Sequence, residues 1–98
     1  MSIRKERSQG QLTLFLEGRL DSNTAPELDS ELRADLDGVS RLVLNLSALV
    51  YLSSAGLRVI LSAQKQMNKQ GEMIVTGANE TIMDIFIVTG FADILTFQ

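Results

Sequence analysis

Residues 41–61 read RLVLNLSALVYLSSAGLRVIL, and the periodicity changes within that stretch. Arg41 to Leu46 is a short leucine-rich, β-branched run of the kind that fills a central strand. From Ala55 onward Leu57, Ile60, Leu61, Gln64 and Met67 return on one helical face, Arg58, Lys65 and Gln66 lie largely opposite, and Gly71 closes the segment. The change predicts a strand that runs through a loop, SALVYLSS, into an amphipathic helix.

Toward the C-terminus, Glu72 to Thr76 reads as a further strand. Asn79 is placed to cap a third helix with Ile82, Met83 and Phe86 facing inward, Gly90 ends it, and Ile94 to Phe97 is expected to form a last short strand. Toward the N-terminus, Leu12, Leu14 and Leu16 alternate, and Gln9-Gly10 separates them from a weaker extended stretch, Ile3 to Arg7, which predicts a β-hairpin. Thr24-Ala25-Pro26-Glu27 has the spacing of a capping box with proline in the first turn. The helix it starts carries Ala25, Leu28, Leu32 and Leu36 on one stripe and stops at Asp37-Gly38. The resulting order is β-β-α-β-α-β-α-β. It predicts an α/β fold with a mixed sheet, an N-terminal hairpin, parallel β-α-β units and helices packed against the sheet.

The composition narrows the chemistry. Ninety-eight residues, 45% hydrophobic and 21% charged with one proline, fit one globular domain over residues 1–98. The apolar runs are far shorter than the ~20 residues needed to span a bilayer, and the N-terminus has no hydrophobic signal core, so a cytoplasmic protein without membrane association is expected. The triplets NLS at Asn45 and NET at Asn79 therefore carry no weight as glycosylation sites. With no Cys and no His there is no thiolate nucleophile and no imidazole base, and only carboxylates could ligate a metal, so neither a catalytic nor a metal site is expected. Ser62-Ala-Gln-Lys65 has an acyl-transferase spacing, but it lies mid-helix without companion motifs. Gly71 and Gly77 fit no phosphate-cradling pattern, so no cofactor is expected. The net charge is −3 and the cations are scattered apart from Arg4, Lys5 and Arg7, which argues against nucleic acid as a partner.

What remains is the serine pair. Binding sites of parallel sheets collect at the carboxyl ends of strands, where Ser53 and Ser54 lie. Serine is a preferred N-cap, so one of the two caps the helix while the other faces solvent, and a helix N-terminus would also accommodate a phosphate attached there. Gly56 costs the helix ~1 kcal/mol relative to alanine, which suggests that some surface approaches it closely.

The segments LEGRLDSNTAPEL (16–28), LVLNLSALVYLSSAGLRVIL (42–61), QGEMIVTG (70–77) and TGFADIL (89–95) together resemble the STAS domain, most of all the bacterial anti-sigma-factor antagonists. The resemblance spans nearly the whole chain. It implies a STAS-like fold and a protein, not an enzyme, that binds an anti-sigma factor serine kinase, frees a sigma factor, and is inactivated when that kinase phosphorylates it. The family's acceptor falls on Ser54, with Gly56 and Leu57 following. Ser53 stands where many members have aspartate, Asp21 falls on the aspartate of the L-x-G-x-L-D segment, and Arg19 occupies an often acidic position. The implied docking surface comprises Asp21, Ser22, Asn23 and Thr24 with Ser53, Ser54, Gly56, Leu57 and Arg58, on a domain expected to be monomeric when free. Other STAS domains serve as phosphorylation-independent subunits of sensory assemblies or partners of a transport ATPase, which is the alternative reading.

Overall fold

The computed structural model describes all residues, 1–98. Strand β1 (Ser2–Ser8) pairs antiparallel with β2 (Gln11–Leu20) through a two-residue turn in which Gln9 and Gly10 both have positive φ, 45° and 83°. Positive φ at both central positions gives the hairpin turn whose twist matches that of the strands. Helix α1 (Ala25–Asp35) carries the chain to β3 (Arg41–Leu52), and α2 (Ser54–Gln70) carries it to β4 (Glu72–Thr76). Both crossovers join parallel neighbours, so the sheet order is β1-β2-β3-β4, followed by α3 (Glu80–Val88).

The register explains the core. Leu12 pairs with Leu42 and Leu42 with Met73, while Leu14 pairs with Leu44 and Leu44 with Val75, so leucine-rich rows cross one face of the sheet. Onto them pack Leu28 and Leu32 of α1 with Leu36 just after it, Leu57, Ile60 and Met67 of α2, and Ile82 and Phe86 of α3, in one buried cluster. Burying each such side chain contributes about 1.5–3 kcal/mol. Thr13, Phe15, Val43 and Asn45 point to the opposite, half-exposed face, where the Arg4 guanidinium lies 4.0 Å from the centre of the Phe15 ring.

Four local expectations need correction. Strand β3 continues to Leu52, through most of the segment read as a loop, because two register shifts against β2, between Phe15 and Glu17 and between Gly18 and Arg19, break the alternation. Its buried positions become Leu46, Leu49 and Leu52, three apart, a spacing that hides a strand. The Ile94 to Phe97 strand does not form. Phe91–Asp93 make a 3-10 turn and Phe97 contributes only a parallel bridge to Val75, although its ring packs at 5.5 Å from Phe86. Leu61 is half-buried instead of lying in the core. The Thr24-Glu27 capping box is also absent: Thr24 is in the helical region and its hydroxyl turns backward, donating to the Arg19 carbonyl (2.7 Å) and accepting from the Asp21 amide (2.9 Å). Asn79 does cap α3, accepting from the Ile82 amide at 2.9 Å.

An ion network ties the edge strand to α1. Lys5 Nζ meets the Glu31 carboxylate and sits 2.6 Å from Asp35 Oδ2, and Arg7 lies 3.1 Å from Asp35 Oδ1. The hydrogen bond from Lys5 is the main cause holding the Asp35 carboxyl below its ordinary 3.8, and the same bond raises Lys5 above 10.5. A carboxyl depressed in the folded state contributes stability above its unfolded value and loses it as pH falls through the folded one. A raised lysine contributes below its unfolded value and loses the contribution as pH rises through the folded one. Asp35→Asn is therefore expected to lower the melting temperature at pH 7, with the difference shrinking as pH falls below 3.8 and vanishing below the depressed folded value. A melting difference that stayed constant down to pH 2 would remove Asp35 from the acid limb.

Candidate functional site

The carboxyl ends of β2 and β3 are drawn together by a hydrogen bond from the Ser53 amide to the Leu20 carbonyl, 2.9 Å. This places the loop before α1 beside the first turn of α2. Ser53 is extended, φ −98° and ψ 172°, and its Oγ accepts from the Gly56 amide at 3.3 Å. Ser53 is thus the N-cap, a role worth about 0.5–2 kcal/mol. Ser54 is the first helical residue and is exposed. Local spacing left open which serine caps the helix; Ser53 takes that place and Ser54 is left exposed.

Gly56 and Leu57, expected on the docking surface, lie in the core instead. A Cβ at Gly56 would stand 2.6 Å from Leu20 Cγ and 2.9 Å from Leu52 Cδ1, so the glycine is what lets α2 sit down on the ends of both strands. Asp21 and Thr24 are half-buried, whereas Ser22, Asn23 and Arg58 are exposed. Asp21 Oδ1 accepts from the amides of Asn23 (3.0 Å) and Thr24 (3.1 Å), and it shares the single Thr24 hydroxyl proton (3.2 Å) with the nearer Arg19 carbonyl (2.7 Å). Desolvation alone would push the Asp21 carboxyl up, but these hydrogen bonds and the Arg19 charge together hold it below the usual carboxylate value. The carboxylate that resembles a partner contact is therefore committed first to shaping its own loop.

Sequence reasoning missed two neighbours. Val50 and Tyr51 are 64% and 39% exposed at the bulged end of β3, and the Arg19 guanidinium stacks 4.0 Å over the Tyr51 ring while lying 3.7 Å from Asp21 Oδ2. Apolar residues falling between Leu49 and Leu52, outside either regular period, were the available signal. Beside the first turn of α2, a cleft of about 360 Å³ between α1 and α2 is lined by residues including Ser22, Pro26, Asp29, Ala55 and Arg58. No three His, Cys, Asp or Glu residues are grouped to hold a metal ion, and no helix is long and apolar enough to cross a membrane.

A four-stranded mixed sheet, with a serine-capped helix rising from the end of its longest strand, defines a STAS-type module. The STAS domain model matches residues 2–98, and the chain belongs to that family, among relatives named as anti-sigma factor antagonists. It is 38% identical over 96 residues to BtrV of Bordetella bronchiseptica, named as a candidate anti-sigma factor antagonist, with 96% of this chain and 83% of that protein covered. It is 30% identical over 97 residues to the anti-sigma-B factor antagonist of Listeria monocytogenes, covering 96% of this chain and 84% of that one. The fold matches the Bacillus anti-sigma factor antagonist SpoIIAA in its unphosphorylated and phosphorylated forms, each with a TM-score of 0.78, at 15% and 16% identity. These matches cover 99% of this chain and 87% and 91% of theirs.

Proposed function

We propose that this chain is an anti-sigma-factor antagonist of the cytoplasm that binds an anti-sigma serine kinase while unphosphorylated, so releasing a sigma factor, and is inactivated by phosphorylation of Ser54. The observation that carries this reading is the division of labour between the serines: Ser53 is engaged as the cap of α2, and Ser54 stands exposed in its first turn. In the transfer, Ser54 Oγ bonds to the γ-phosphorus of ATP and the bond to the ADP oxygen breaks with its electron pair. The hydroxyl proton passes to a base of the kinase, so this chain supplies only the acceptor. The names of the relatives, and the existence of a structural neighbour in both phosphorylation states, support the same reading. The exposed members of the junction, Ser22, Asn23, Ser54 and Arg58, together with Tyr51, form the docking face, with Asp21 and Thr24 holding its loop in shape.

The test is phosphopeptide mapping after incubation with the cognate kinase and ATP. One phosphate on Ser54 is expected, with Ser53→Ala still labelled and Ser54→Ala unlabelled but able to bind. Label on Ser53, or normal labelling of Ser54→Ala, would overturn the assignment.

A further inference from the structure

Arg58 stands out among the charged groups of the junction because it has no carboxylate partner. Asp29, across the cleft, is held by Arg33 at 2.9 Å, and Asp21 is engaged by its own loop and by Arg19. No ion pair or side-chain hydrogen bond in the protein involves Arg58, although its side chain lines the cleft beside Ala55. It lies four residues after Ser54 on the same helix, and both are exposed. Residues i and i+4 are neighbours on a helix surface, and side chains tilt toward the helix N-terminus. A side chain as long as that of Arg58 is therefore able to reach back to the turn that carries Ser54.

We propose that Arg58 reads the modification state of Ser54: its guanidinium is free in the unmodified protein and forms an intrahelical ion pair with the phosphate once Ser54 is phosphorylated. The proposal rests on Ser54 being the acceptor and adds the residue that answers it. A phosphoserine carries about −1.5 to −2 charge and three acceptor oxygens, and a guanidinium offers a planar fork of donors that matches two of them. Capture has a second consequence. It withdraws the one unpaired cation of the cleft from any acidic side chain of a partner, so modification changes both the charge at residue 54 and the availability of residue 58.

The test places phosphoserine genetically at position 54 of the full chain, with no kinase involved, and follows the second ionisation of the phosphate by phosphorus NMR. An adjacent cation favours the dianion, so the midpoint in the Arg58→Gln protein should rise relative to the parent, by about 0.2 to 0.4 pH units for an ordinary exposed i, i+4 pair. Arg58→Lys should recover part of the difference. Arg58 is exposed, and circular dichroism should show the Arg58→Gln variant folded. Equal midpoints in the parent and Arg58→Gln proteins would overturn the proposal. Kinase labelling at a residue other than Ser54 would instead overturn the acceptor assignment, and the NMR midpoints would still decide whether the two groups touch.

Discussion

Ser54→Asp is expected to abolish binding of the proposed anti-sigma partner while leaving the domain folded. The reason lies in where the charge is placed. Ser54 opens α2 with its side chain exposed, and Ser53 supplies the cap, so a carboxylate at position 54 displaces no hydrogen bond of the fold. A negative group in the first turn gains some 0.3–1 kcal/mol from the helix dipole, which leaves stability nearly unchanged or slightly higher. A partner surface shaped to a neutral hydroxyl meets an anion that must be desolvated or repelled in a close contact, at a cost of several kcal/mol. Because each 1.4 kcal/mol is tenfold in affinity, the two effects separate clearly in magnitude. Melting within a few degrees of the parent, together with loss of the complex in calorimetry, is the expected pair of results, with Ser54→Ala still binding. A Ser54→Asp protein that unfolded, or that bound as tightly as the parent, would exclude switching by local charge.

The opposite pattern is expected at Gly56, two residues on. Gly56→Val puts a branched side chain where a Cβ alone would meet Leu20 Cγ at 2.6 Å and Leu52 Cδ1 at 2.9 Å. Leu20 is fully buried and Leu52 nearly so, so neither can swing into solvent. Valine gains a few tenths of a kcal/mol over glycine in helix propensity, against about 1–3 kcal/mol for overpacking, so the clash wins. A fall in melting temperature of roughly 4–8 °C per kcal/mol lost follows for a domain of this size. Partner binding should weaken as well where α2 relieves the clash by lifting its first turn, which carries Ser54. An unchanged melting temperature would mean that α2 does not rest on the strand ends as described.

Much of this was legible in the chain. The stripes Ala25-Leu28-Leu32-Leu36 and Leu57-Ile60-Met67, and the alternation Leu12-Leu14-Leu16, each repeat at the period of their element, because a regular element buries one face and its sequence records that face. The proposed acceptor at Ser54 comes from the resemblance of that segment to STAS domains. Less regular features were hidden for physical reasons. The bulges of β3 substitute a spacing of three for a spacing of two. Phe97 depends on Val75 and Phe86, both distant in the chain, and the Thr24 hydroxyl was drawn away from its helix by the Arg19 carbonyl and the Asp21 amide.

By itself, then, the sequence determined the order and type of most elements, the leucine rows that would be buried, and the pair of serines at the strand-to-helix junction before α2, since all three are written in local spacing. Which serine caps and which is exposed, that Gly56 and Leu57 belong to the core while Tyr51 and Arg19 face outward, and that Arg58 has no partner were decided only by the tertiary structure. Those outcomes depend on how closely α2 approaches the ends of β2 and β3 and on which groups α1 brings across the cleft, and both are set by contacts between residues far apart in the chain.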